Sequence, residues 1–198
     1  SEKAGDLAAE ALKLDSTYAD AYAVSSLTVL LKWIDIPIYD DPEIEKNRVI
    51  DINKANFLAK TALQYDQDNL LAHTVLILLP LFNQESQEFE ANQLLIWRSM
   101  LVDAKIFLQK YPDTLISEWL YAFILLQKCN FKGGDKEDYK EPLEKMLTIY
   151  KKIERKNFVI SHPTEGIVIG SIWGSIAKLY TLIGESEKGM DFIIENKQ

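Results

Sequence analysis

Few side chains in this chain could do chemistry: two histidines, His73 and His162, one cysteine, Cys129, and a run of acids, Asp40, Asp41, Glu43 and Glu45. A histidine serves as a base or metal ligand only beside a second group at suitable spacing, and a cysteine attacks only as a thiolate held by a cationic or histidine neighbour. Neither complement is present. There is no His-Glu-x-x-His pair, no glycine-rich phosphate loop and no nucleophile elbow. His73 lies in an apolar helical stretch and reads as a core or interhelical hydrogen-bonding residue. His162 stands before Pro163 in a loop and reads as structural or solvated. Cys129 closes an apolar run and reads as a small buried hydrophobe. The acids lack the glycine and spacing of a calcium loop, and they precede a helix whose exposed amides favour carboxylates. The expectation is a protein with no catalytic residue, no cofactor and no metal site.

The charge balance bounds the partners. Twenty-two Lys and Arg against 30 Asp and Glu leave a net charge of -8, which disfavours nucleic acid and anionic lipid. The local basic group Lys151, Lys152, Arg155 and Lys156 alternates with Glu154, as a solvated helix end does. A lone cysteine forms no internal disulfide framework and no multi-cysteine metal site, and it is compatible with cytoplasm or periplasm. The opening "SEKAGDLAAE" holds no leader pattern, so the cytoplasm is favoured, with the periplasm open if a leader has been removed. The most apolar run, residues 70–82, carries His73 and Pro80 and falls short of the roughly 20 residues a membrane span needs. It reads as a buried helix.

The elements that hold these residues are helical. Apolar residues recur with helical period, strand-type alternation is scarce, and six prolines and eight glycines are few for 198 residues. Helices are expected over 2–14, 18–33, 43–65, 69–82, 86–110, 115–129, 137–154, 165–182 and 186–196, in an all-α chain forming a single domain over 1–198. Start signals are Thr17 with Asp20, Ser86 before Glu88, and Asp113 after Pro112. Gly133 and Gly134 mark 130–138 as the clearest loop.

The helices repeat. An offset of 51 brings ten identities in thirty positions: Ala4 on Ala55, Leu7 on Leu58, Ala8 on Ala59, Ala11 on Ala62, Leu12 on Leu63, Asp15 on Asp66, Ala21 on Ala72, Val24 on Val75, Leu27 on Leu78 and Leu30 on Leu81. They span a helix, a break and a second helix, as a true repeat requires. A third copy follows 45 residues on, where "AKTALQYDQDNL" becomes "AKIFLQKYPDTL", and "IWGSIAKLYTLIGESEKGMDFIIEN" closes the chain. The alanines, at spacings of four and three, share one helix face and let a neighbouring backbone approach closely.

The alanine ladders, Tyr22 and Ser26 in the first unit, and Trp173, Ile176, Ala177, Tyr180 and Gly184 in the last resemble tetratricopeptide repeats (TPR). That resemblance implies an α-α superhelix of about four helical hairpins. Spacings of 51 and 45 exceed the roughly 34 residues of a TPR unit, and the excess should mainly lengthen second helices such as 43–65 and 86–110. The resemblance also implies that first helices line a concave face, which maps here to Leu27, Leu30, Leu78, Leu81, Trp119 and Phe123. Relatives that clamp acidic peptide ends carry Lys, Arg and Asn there, whereas these positions are apolar. Such a stripe is either covered by the chain's own insertions, with Trp33 and Trp97 as covers or anchors, or binds something apolar. The expected function is a protein-interaction or scaffold module for a protein or peptide partner. The alternative is a periplasmic, transporter-associated ligand-binding protein with an apolar pocket for a small molecule. Residues 2–14 read as the second helix of a unit whose first helix is missing, so the chain is expected to be a fragment of a longer one.

Overall fold

The computed structural model describes residues 2–33, 41–82, 89–132, 134–155, 157, 159 and 163–195. Among these the chain is all-helical: α1 Glu2–Leu14, α2 Ala19–Leu31, α3 Pro42–Tyr65, α4 Leu70–Leu78, α5 Phe89–Lys110, α6 Leu115–Lys132, α7 Lys140–Arg155, α8 Pro163–Leu182 and α9 Ser186–Glu195. No described helix is long and apolar enough to cross a membrane. By internal packing the chain divides into two compact units, Ser1–Asn92 and Gln93–Gln198, a boundary inside α5 that composition does not mark.

In the first unit each helix packs on its neighbour in sequence, and α2 also packs on α4. The offset of 51 is visible in the backbone. Asp15 and Asp66 each donate their N–H to the alanine carbonyl four residues back, at 2.8 Å in both seams. The Tyr22 hydroxyl donates to the Ser16 carbonyl at 3.1 Å, and 51 residues later His73 Nε2 bonds the Gln67 carbonyl at 3.0 Å. Two different side chains thus close the same turn. Ala55, Ala59 and Ala62 of α3 are 0% exposed. At Ala55 the approach is close enough for Ser26 Oγ of α2 to donate to its carbonyl at 2.6 Å. Asn69 serves two elements: its Oδ1 accepts the Ala72 N–H at 3.0 Å as the N-cap of α4, and its Nδ2 donates to Asp20 of α2 at 2.7 Å. Trp33 donates from its indole N–H to Asp51 at 3.1 Å, joining the end of α2 to α3.

In the second unit α7 packs on α6 and α8, α8 packs on α6, and α9 lies on α8. Two residues past the end of α8 stands Gly184, φ 84°, with the Glu185 N–H reaching the Tyr180 carbonyl and the Gly184 N–H reaching that of Thr181. This is the Schellman closure that a left-handed glycine permits. Gly189 sits where α9 meets α8: a Cβ there would lie 3.0 Å from the Ala177 carbonyl oxygen.

Three local expectations change. Thr17 does not cap α2. Its N–H and hydroxyl both donate to the nearer Asp15 carboxylate, at 2.8 and 2.7 Å, and these two bonds hold the Asp15 carboxyl below its ordinary range. The N-cap position is Tyr18, which makes no side-chain cap bond. Helix α4 stops at Leu78 and continues only as a 3₁₀ turn, Leu79–Leu81, because Pro80 brings no N–H for the α-helical ladder. The 130–138 loop is shorter than expected, since α6 runs on to Lys132 and the Gly134 N–H folds back to the Cys129 carbonyl at 2.9 Å. Ser86 and Glu88 lie outside the described residues.

Two predictions follow from these contacts. In α8, Gly170 and Gly174 have nothing within 4 Å of an added Cβ, so alanine at either should stabilise by about 0.5–1 kcal/mol, whereas Gly189→Ala should destabilise by about 1–2 kcal/mol in urea unfolding. Asn69→Asp keeps the cap of α4 but replaces the amide donor to Asp20 with a second carboxylate, and should destabilise by about 1–2 kcal/mol in urea unfolding at pH 7.

Candidate functional site

The residues that the TPR resemblance maps to a concave face are divided between the two units. In the first, Leu27 and Leu30 lie on α2, Leu78 ends α4, and Leu81 lies in the 3₁₀ turn. Leu30 is buried, while Leu27, Leu78 and Leu81 are half-buried. In the second, Trp119 is buried and stacks on half-buried Phe123 of the next helical turn, with ring centroids 5.1 Å apart. The Trp119 indole N–H is buried with no hydrogen-bond partner among the described residues, as is that of Trp97 on α5. A buried donor left unpaired costs about 1–3 kcal/mol. Leu30 and Trp119 are therefore core as well as stripe, and the accessible members are Leu27, Leu78, Leu81 and Phe123. Trp97 is buried, as a covering residue would be, and Trp33 is half-buried through its bond to Asp51.

A separate cleft of about 390 Å³ opens between α6 and α7, lined by Leu108, Glu118, Tyr121, Glu144, Lys145, Thr148 and Ile149. Its charges are largely matched internally. The Lys152 ammonium of α7 pairs with the mostly buried Glu118 carboxylate of α6. Lys145 lies 5.1 Å from the centre of the Tyr121 ring and 3.6 Å from Glu141. Burial first, and then the Glu141 carboxylate, push the Tyr121 phenol above its ordinary value, so the hydroxyl stays protonated at neutral pH. Among these described residues no nucleophile stands against a base.

The chemistry-bearing residues are placed as follows. His73 is half-buried and bonds the seam of its own hairpin. Cys129 is half-buried and donates to the Asp138 carbonyl at 3.4 Å. Asp41 caps α3 by accepting the Glu43 N–H at 2.8 Å, and Glu45 pairs with Arg48 at 2.7 Å, so these acids serve the helix start. Lys151 and Arg155 are exposed, but Lys152 is not simply solvated, because it reaches Glu118. His162, Asp40 and Lys156 lie outside the described residues. No group of three or more His, Cys, Asp or Glu that could hold a metal occurs among the described residues. Sequence reasoning missed Ser26 as a donor, Asn69 as a tether and the Glu118–Lys152 pair. Only Asn69, an Asn before an apolar helix, carried a local cap signal.

Compared with protein-family models, curated proteins and solved structures, the chain matches none.

The pair in the cleft gives an asymmetric expectation. Lys152→Met leaves the mostly buried Glu118 carboxylate unpaired and should cost about 1–2 kcal/mol, while adding Glu118→Gln should restore part of that loss. A double-mutant cycle in urea checks this, and strictly additive losses would show that the two groups are not coupled.

Proposed function

We propose that this chain is a non-enzymatic protein-interaction and scaffold module of TPR-like hairpins, an α-α superhelix in which a partner segment is received on the apolar face of α2 and α4 in the first unit or of α6 in the second. The observation that carries the reading is the repeated seam: Asp15, Ser16 and Tyr22 return as Asp66, Gln67 and His73 with the same hydrogen bonds. A local structure rebuilt from different side chains is what a tandem repeat leaves. Two further features support it. Alternate helices pack directly in each unit, α2 on α4 and α6 on α8, as stacked hairpins do. The first helices also leave Leu27, Leu78, Leu81 and Phe123 partly accessible.

The partner suited to such a face is an extended segment or helix with apolar side chains, since half-buried leucines provide area without charge. The small-ligand alternative draws less support, because the α6–α7 cleft is edged by Glu118, Glu144 and Lys145 rather than closed by apolar groups.

The test is affinity capture with the tagged protein, read by mass spectrometry for proteins and small molecules together. A protein recovered with wild type should fall by about tenfold or more with Leu78→Glu or Phe123→Glu, at unchanged helical circular dichroism. Recovery of only a small molecule, released by those same variants, would replace this reading with the ligand-binding one.

A further inference from the structure

Helix α3 lies in the middle of the first unit, with α1 and α2 before it and α4 after it. It packs on α2 and α4, and its buried side holds Ile52, Ala55, Ala59 and Ala62. On the opposite side Ile50 is 54% exposed and Phe57 67%. Lys46, Ile50, Lys54 and Phe57 follow at spacings of four, four and three, and Lys60 comes three later, so all five share one helix face.

The charges around the two apolar side chains have one sign. Lys46, Lys54 and Lys60 are exposed, and no described carboxylate pairs with any of them. Lys32, Lys140, Lys145, Lys152 and Lys188, by contrast, each meet one. The acids of α3 stand at its beginning: Glu43 is in the first turn, Glu45 holds Arg48, and Asp51 accepts the Trp33 indole N–H. From Ile52 to Tyr65 the helix carries Lys54 and Lys60 and no acid, in a chain where acids outnumber Lys and Arg 30 to 22. The face is a cationic, partly apolar strip on an acidic protein.

We infer that this face of α3 docks an acidic amphipathic helix of a partner protein. Ile50 and Phe57 lie two turns apart, about 10 Å along the axis, so the partner sets leucine-like residues against them at matching spacing. Glutamates or aspartates beside that seam meet Lys46, Lys54 and Lys60. Exposed ion pairs add little free energy, so burial of Ile50 and Phe57 supplies most of the affinity, while the lysines select the partner's charge and speed encounter. A nucleic acid or an anionic bilayer would also meet the lysines, but each presents an extended negative surface to a protein of net charge -8. A single helix feels mainly the strip itself, because more distant charges are screened beyond about 8 Å at physiological salt. The inference goes beyond the face of α2 and α4 proposed above and uses none of its residues, so either can fail alone.

The probe is a fluorescein-labelled peptide of about 18 residues built from leucine, alanine and glutamate, with leucines at spacings of three and four on one face and glutamates flanking them. In fluorescence anisotropy it should bind the whole protein saturably, and less tightly as salt rises. Phe57→Glu, and separately Lys54→Gln combined with Lys60→Gln, should each weaken binding about tenfold or more at unchanged circular dichroism. Phe123→Glu should leave it unchanged. A peptide of the same composition with its leucines scattered around the helix should not bind. Absence of binding to the wild-type protein overturns the proposal. Binding indifferent to both α3 variants overturns it too, and equal binding of the scattered peptide does so by showing charge attraction alone. Binding to phosphatidylserine vesicles, lost in the same variants, in place of the peptide overturns it in favour of a membrane surface. Self-association lost in Phe57→Glu, without peptide binding, overturns it in favour of a second copy as the occupant.

Discussion

The first unit depends on how closely α2 can approach α3. Ala55, Ala59 and Ala62 present no side chain beyond Cβ, and only that lets a serine hydroxyl on α2 reach a main-chain carbonyl on α3 at 2.6 Å. A larger residue at Ala59 would hold the helices apart, break that bond and pull Asp20 from Asn69. The second unit uses the same device at α8 and α9, where Gly189 leaves room for the Ala177 carbonyl. Packing of this kind draws on dispersion and on apolar area removed from water rather than on directional bonds. Few polar contacts are therefore needed, and those present set register.

The seams show how a repeat persists while its sequence drifts. Tyr22 and His73 share neither size nor charge behaviour, yet each supplies one polar atom to a carbonyl six residues back. In the third copy the seam bonds come from Thr114 and Ser117, both reaching the Tyr111 carbonyl. The backbone geometry is kept and the side-chain chemistry is not.

The described faces differ in how far they are covered. Leu27, Leu78 and Leu81 are half-buried, and beside the α6–α7 cleft Lys152 pairs with Glu118. None of these arrangements sets a nucleophile against a base.

The sequence by itself determined the helices. Their limits follow from local causes, namely apolar periodicity, the breaks at Asp15, Asp66 and Pro112, and glycine at 184, and α1, α3, α5 and α9 begin and end within a few residues of expectation. It also determined the repeat, since alanine spacing is a linear pattern. Where the reading failed, two local signals competed: Asp15 took the hydroxyl of Thr17 that would have capped α2, and α6 ran through Asn130 toward the glycines. Only the tertiary structure decided which apolar residues are core and which are surface. Leu30 and Leu27 look alike in sequence, but the first is buried while the second stays partly open. It alone joined Lys152 to Glu118 and Asn69 to Asp20, pairs 34 and 49 residues apart whose partners are fixed by helix packing. The physical reason is range: helix formation is settled within a turn or two of chain, whereas burial and pairing depend on neighbours that only the packed helices bring near.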